Sequence, residues 1–395
     1  MNIMTDSVFC EDELLEIARG LIRIDSENPP GREEAAVRYI QEVLEVNGIP
    51  VSLTWPAPGR PNLTAELAGS APGPVLLYNG HTDVVPAGPN WTKDPLGAAV
   101  EKGRLYGRGT SDMKSGVAAM IYAAIVLKRM GRPFGGKLVL FFNVDEERAN
   151  LGMRHMMNKP LKADYAVIGE PTGLDACVCH KGVGRYRIET FGTSGHTAVV
   201  ECPDNAISKM VKVVEALERL GLTIRERRHH SLGSASLTVA RFNGGSAANI
   251  VPGHAVVEID RRILPGEQED FVFAEIDRAV RETAAKGQFE YRLEQYLYLP
   301  PHDISVDHPL VRTALGIACR VTGERKRDKP FAACTEAPFF SDRLGIPTLI
   351  MGPGSLQEAH TADESADIRE IADASRIYVR LACEMLPTER GKNDE

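Results

Sequence analysis

Residues Val75-Leu76-Leu77-Tyr78-Asn79 form an apolar run that ends in Gly80-His81-Thr82-Asp83. The pattern returns in Lys137-Leu138-Val139-Leu140-Phe141-Phe142-Asn143-Val144, which ends in Asp145-Glu146-Glu147. Short apolar runs without alternation are the mark of strands covered on both faces, and such strands belong to largely parallel sheets. Two more runs fit: Tyr165-Ala166-Val167-Ile168 enters Gly169-Glu170, and Thr348-Leu349-Ile350-Met351 enters Gly352-Pro353-Gly354, with Glu358-Ala359-His360 close behind. In open α/β sheets ligands bind beyond the carboxyl ends of the strands. Every one of these runs delivers imidazoles or carboxylates to that place.

Outward from these strands, helical periodicity over residues 14–24, 37–46, 117–130, from His308 and over 367–385 alternates with the strands and with a further one at 51–55, which is α/β texture. The Pro-rich stretch 56–61 reads as a loop. Between these parts the texture changes. Strand 185–191, helix 205–220, strands 234–242 and 254–264, helix 267–286 and strand 289–296 give the strand-helix-strand-strand-helix-strand order of a ferredoxin-like α+β unit. The expected fold is therefore a mixed-sheet α/β domain, residues 1–181 and 296–395, interrupted by an inserted α+β domain, residues 182–295.

Composition narrows the function. The 395 residues carry 46 Lys and Arg against 54 Asp and Glu, a formal charge of −8 with no basic block, which argues against nucleic-acid or anionic-membrane partners. The acidic N-terminus lacks the features of a signal peptide, and the longest apolar run, residues 116–127, is too short to cross a bilayer, so a cytoplasmic protein is expected. Seven cysteines, Cys10, Cys177, Cys179, Cys202, Cys319, Cys334 and Cys383, include no Cys-x-x-Cys pair, which disfavours a disulfide framework or a thiolate zinc site.

His81 and Asp83, two apart, share a face of an extending strand, and a ligating imidazole needs an acceptor on its other nitrogen. A loop histidine with a polar neighbour is the plainer alternative. In Gly107-Arg108-Gly109-Thr110-Ser111-Asp112, the acid stands where a dinucleotide-binding turn needs its third glycine, so a pyrophosphate would be repelled. Asp112 is then either a helix N-cap or a carboxylate that bridges cations. Asp145-Glu146-Glu147 would be a solvated face anywhere else. Gathered on one sheet edge, His81, Asp83, Asp112, Glu146, Glu147, Glu170 and His360 would repel one another unless cations lay among them. Nitrogen and oxygen donors without thiolate fit catalytic zinc, with manganese or cobalt as substitutes. Two ions roughly 3.5–4 Å apart would lower the pKa of a shared water from ~15.7 to ~7, with one carboxylate left unligated to move protons. No Gly-x-Ser-x-Gly, Gly-x-x-x-x-Gly-Lys-Ser/Thr or His-Glu-x-x-His motif offers a competing chemistry.

The ordered set of motifs from Gly80 to Glu364 resembles the di-zinc exopeptidase and deacylase family that contains acetylornithine deacetylase, succinyl-diaminopimelate desuccinylase, aminoacylase and carboxypeptidase G. The resemblance implies that His81 and Glu170 hold one zinc, that Glu147 and His360 hold the other, and that Asp112 bridges them. It implies that Asp83 braces His81 and that Glu146 is the base. It also implies that the insert is a lid and dimerisation domain of a homodimer. Within the insert, His196 in Gly192-Thr193-Ser194-Gly195-His196-Thr197 matches a histidine that reaches the partner's site. Asn249 and Arg261 match substrate contacts, although a sheet-edge ion pair is the alternative for Arg261. Cys334-Thr335-Glu336-Ala337-Pro338-Phe339 and Gly352-Pro353-Gly354-Ser355 resemble the acetylornithine deacetylase branch, which implies arginine biosynthesis. There Glu336 would meet a substrate ammonium, or else be a helix N-terminal acid. Gly354 is a further expected substrate contact. Arg148-Ala149-Asn150-Leu151-Gly152 departs from the family's small, Gly-containing turn, which leaves dipeptidase, carboxypeptidase and desuccinylase readings open.

Overall fold

The computed structural model describes residues 8–199 and 204–387, so Cys202 lies outside the described residues. Contacts divide the chain into one unit of Met1–Val178, Ile304–Phe331 and Thr335–Glu395 and another of Cys179–Asp303 and Ala332–Cys334. The expected boundaries at 181/182 and 295/296 thus fall at 178/179 and 303/304. The second moves because the last strand of the insert runs on to Leu299 and the short strand His302–Asp303 follows it, with Asp303 paired antiparallel to Cys179.

In the first unit the sheet runs Val51–Ala57, Arg60–Ala68, Gly135–Asn143, Ala71–His81, Tyr165–Ile168, Thr348–Ile350, Ala176–His180. The four middle strands, Gly135–Asn143 to Thr348–Ile350, are mutually parallel, and their neighbours on either side are antiparallel, which makes the sheet mixed. Residues 56–61 are not a loop. Pro56 is the last residue but one of the strand Val51–Ala57 and Pro61 the second of Arg60–Ala68, in a hairpin turning at Gly59 with φ +72°. Proline is tolerated there because Val51–Ala57 is an edge strand with an irregular register after Thr54, so no ladder bond is lost at Pro56.

Helix Lys114–Arg129 is buried from Lys114 to Leu127, as expected of a helix apolar on all sides, and packs between the sheet and helices Glu11–Ile22 and Ile368–Met385. Its start is pressed against the sheet: a Cβ on Gly116 would lie 2.2 Å from the carbonyl oxygen of Gly169. The opposite face of the sheet is filled by Leu77, Val139, Phe141, Met153, Ile168, Phe340 and Ile350.

In the second unit the antiparallel order is Ser236–Gly244, His254–Ile263, Gly182–Phe191, Tyr291–Leu299, with helices Ala206–Arg225 and Glu269–Gly287 covering one face. Ile188, Met210, Val213, Leu217, Val257, Ile259, Val272 and Ile276 form its core. Numbered along the chain, the strands lie in the order 2-3-1-4, the ferredoxin-like arrangement.

Candidate metal centre

Parallel strands end on the same side, so the exits of Ala71–His81, Gly135–Asn143 and Tyr165–Ile168 bring His81, Glu146, Glu147 and Glu170 to one edge. Asp112 reaches it from the loop before the buried helix. Glu364 holds that loop: its Oε1 accepts the amides of Ser111 (2.8 Å) and Asp112 (3.1 Å), and its Oε2 pairs with Arg108. The peptide bond from Asp112 to Met113 is cis. His360, with φ +62°, arrives from the loop after Thr348–Ile350.

The two oxygens of Asp112 face different imidazoles. Oδ1 lies 3.1 Å from His81 Nε2, and Oδ2 lies 3.3 Å from His360 Nε2. Each imidazole has a glutamate of its own, Glu170 Oε1 at 3.8 Å from His81 and Glu147 Oε1 at 3.0 Å from His360. Donor atoms of His81, Asp112 and Glu147 all lie within 4.8 Å of one another. His81, Asp112 and Glu170 are buried, Glu147 is partly so, and the His360 side chain is half exposed.

The electrostatics are those of a site built for positive charge. Burial opposes a charge on His81, yet the hydrogen bond and field of Asp112, with Glu170 and Glu146, raise it well above its ordinary value. Asp112 and Glu147 push His360 up to about 10. Burial pushes Glu146 well up, with Glu147, Glu336 and Asp112 adding to it against His81. Glu147 and Glu170 rise for the same first reason. The donor set therefore fits two divalent cations, each facing one imidazole nitrogen, one glutamate oxygen and one oxygen of Asp112.

Asp83 braces His81 differently from the expectation. His81 Nδ1 lies 2.9 Å from the main-chain oxygen of Asp83 and 3.7 Å from its carboxylate. That carboxylate is turned instead to the amides of Glu146 (3.1 Å) and Glu147 (3.2 Å) and to Asn28.

Three expected substrate contacts are redirected. Arg261 is wholly buried on the inner strand His254–Ile263, its guanidinium shared among Glu267 (2.5 Å), Glu275 (3.2 Å) and the carbonyl of Arg262, so it is an ion pair, but an internal one and not at the sheet edge. The partly exposed cation is its neighbour Arg262 on the other face, since successive side chains of a strand alternate. Glu336 has no exposed surface. Asn143 donates to its Oε1, and burial raises the carboxyl to about 8, so it lies beneath the site and not at its rim. Gly354 (φ +88°) uses both main-chain groups internally, its N–H on Glu370 and its carbonyl on Gly173, and a Cβ there would meet Ser111 Oγ at 2.6 Å. Its work is close packing against the Asp112 loop.

His196 and Asn249 do come together. The ribbon of Gly195–His196 with Ile250–Val251 exposes His196, the Asn249 carbonyl accepts the Thr197 amide at 3.1 Å, and a cavity of about 620 Å³ lined by Thr197, Ala248 and Ile250 adjoins them. The sequence reading gave no role to Asn28, Arg60, Arg108 or Glu364. A Gly-flanked Arg108 and an acid immediately before the strand Ser365–Asp367 were the only local signals for the last two.

Residues 77–384 match the model of peptidase family M20/M25/M40. The chain belongs to that family. It is 34% identical over 364 residues to acetylornithine deacetylase of Vibrio atlanticus, covering 89% of this chain and 92% of that one. The Vibrio campbellii acetylornithine deacetylase is 32% identical over 388 residues, covering 93% and 98%. Among solved structures, aminopeptidase PepT of Bacillus cereus superposes with TM-score 0.80 at 20% identity over 96% of this chain and 100% of its own. An M20 metallo-carboxypeptidase of Sulfolobus solfataricus does so with TM-score 0.77 at 21% identity over 94% and 98%. This M20 member is a metal-dependent hydrolase with the mixed α/β fold of its relatives. Among the described residues no helix is long and apolar enough to cross a membrane.

Proposed function

We propose that this chain hydrolyses the amide bond of an N-acyl amino acid, with N-acetylornithine as the preferred substrate and two zinc ions as cofactor. The carrying observation is Asp112, whose two oxygens each face a separate imidazole with its own glutamate. His81, Glu170 and Asp112 would hold one ion, and His360, Glu147 and Asp112 the other. Cobalt or manganese would substitute. The substrate reading is supported by the shared name of relatives matched over nearly their whole length.

When bound, the ion pair supplies an acidified water and a positive charge for the acyl oxygen. Glu146 stands unligated beside that set, and its carboxylate takes one proton from the water as the water oxygen adds to the acyl carbon. Glu146 then passes the proton to the amide nitrogen as the carbon–nitrogen bond breaks, giving acetate and the free amine. Holding the turn that bears Glu146 through two amides, Asp83 fixes the direction of this transfer. His196 from a second copy of the chain would donate to the acyl oxygen, with Asn249 beside it. The insert thus serves as lid and dimer contact, in a cytoplasmic enzyme of arginine biosynthesis.

Zinc-loaded protein is assayed for amine release on N-acetylornithine, N-acetylmethionine, N-succinyl-diaminopimelate and simple dipeptides, before and after chelation. Ornithine release that is fastest in the panel and lost with the metal supports the proposal. Turnover of dipeptides alone moves the assignment to a peptidase, and bound zinc with no hydrolysis overturns it.

A further inference from the structure

We infer that Asn28 is a positioning residue that sets where Glu146 and Glu147 stand; the inference rests on reading that pair as base and metal ligand. Asn28 is 3% exposed, and its Nδ2 lies 2.9 Å from Asp83 Oδ2 and 2.9 Å from Asp145 Oδ1. Carboxylates only accept, so both amide protons are used, one on each acid. These two acids grip the same turn from different sides. Asp83 receives the main-chain amides of Glu146 and Glu147, while Asp145 immediately precedes them at φ +70° and caps the far end of the turn by accepting Leu151 N–H at 3.2 Å. One side chain from a distant segment therefore ties both supports of the catalytic pair together.

Arg60 completes the device from the other side. Its Nη2 donates to Asp145 Oδ1 at 2.8 Å and its Nε to the fully buried Glu33 at 3.0 Å, with a second contact between Arg60 and Glu33. Without the Asn28 protons, Asp83 and Asp145 would face each other as like charges with little access for water, and the turn would shift to separate them. A shifted Glu147 loosens one metal position and a shifted Glu146 slows proton transfer. Substrate binding elsewhere is left as it was.

The test compares wild type, Asn28→Asp and Arg60→Gln after removal of metal. The aspartate keeps the shape and removes both donors. Cobalt is titrated into each protein and followed by its visible absorption, and kcat and KM are measured on whichever panel substrate wild type turns over fastest. In Asn28→Asp one of the two cobalt affinities is expected to fall about 10–100-fold, and kcat about 10–100-fold, with KM within about 3-fold. Arg60→Gln moves in the same direction by less. A folded Asn28→Asp with wild-type cobalt affinities and kcat overturns the inference. If that variant does not fold, wild-type values in Arg60→Gln overturn it, and loss of fold in both assigns the cluster to folding and overturns it as well. A wild type that takes up no cobalt overturns the metal-site reading itself, an outcome separate from unaltered variants.

Discussion

Replacing Glu364 by glutamine tests how the Asp112 loop is held. The Arg108 and Glu364 side chains are 3% and 0% exposed, so neutralising the acid leaves a guanidinium in the interior without its counter-charge, a loss of about 3–5 kcal/mol. The glutamine oxygen still accepts the amides of Ser111 and Asp112, but at the strength of neutral bonds, up to about 1 kcal/mol weaker each. Arg108 keeps its bond to the carbonyl of Ala87 at 3.1 Å, which places the total near about 3–5 kcal/mol. The assay is urea unfolding followed by tryptophan fluorescence. Trp91 lies under the Arg108 guanidinium at 5.2 Å, and Trp55, the other tryptophan, is 42% exposed. Adding Arg108→Met to Glu364→Gln removes the stranded charge and is expected to recover at least about 2 kcal/mol. A single variant within about 1 kcal/mol of wild type, or a double variant no better than the single, would refute the argument.

Glu146→Gln is expected to retain both metals by elemental analysis while kcat falls about 10²–10⁴-fold; near-normal turnover would remove Glu146 from the proton path. Burial pushes His180 down to about 4 from 6.5. Between those values the unfolded chain binds a proton that the folded chain does not, so stability falls as pH drops through this window, by about 3–4 kcal/mol overall. His180→Leu should flatten that part of the urea-derived stability profile. An unchanged slope from pH 6.5 to 4 in the variant would show that His180 is not its source.

What the sequence made legible is what the sheet makes periodic. Uniformly apolar strands announce their own exits, so His81, Glu146, Glu147 and Glu170 can be placed on one edge before any coordinates exist, and a fully apolar helix announces a buried start that sets Asp112 beside them. Supports contributed from far along the chain carry no such signal. Asn28 meets acids 55 and 117 residues away, and Glu364 meets amides more than 250 residues away, which no local pattern encodes. Arg261 shows a second limit. A step of one residue along a strand exchanges the two faces, and only the partners across the sheet reveal that Arg261 points inward and Arg262 outward. Pro56 reads as a breaker because edge position, which excuses it, belongs to the sheet and not to the residue. Glu336 could be recognised as an acid near a helix start, whereas its complete enclosure depends on strands that come together only in the fold.

The pairing of Cys179 with Asp303 has an evolutionary and practical corollary. Opposed residues on antiparallel neighbours stand about 5 Å apart, so the chain leaves for its excursion and returns from it at almost the same point. A gene segment spliced in there disturbs little of its host, and the reverse operation needs only a few glycines as a suture. An excised core of that kind would keep His81, Asp112, Glu147, Glu170 and His360 and forfeit His196, so ion uptake and turnover measured on it would test the roles proposed for the two groups separately.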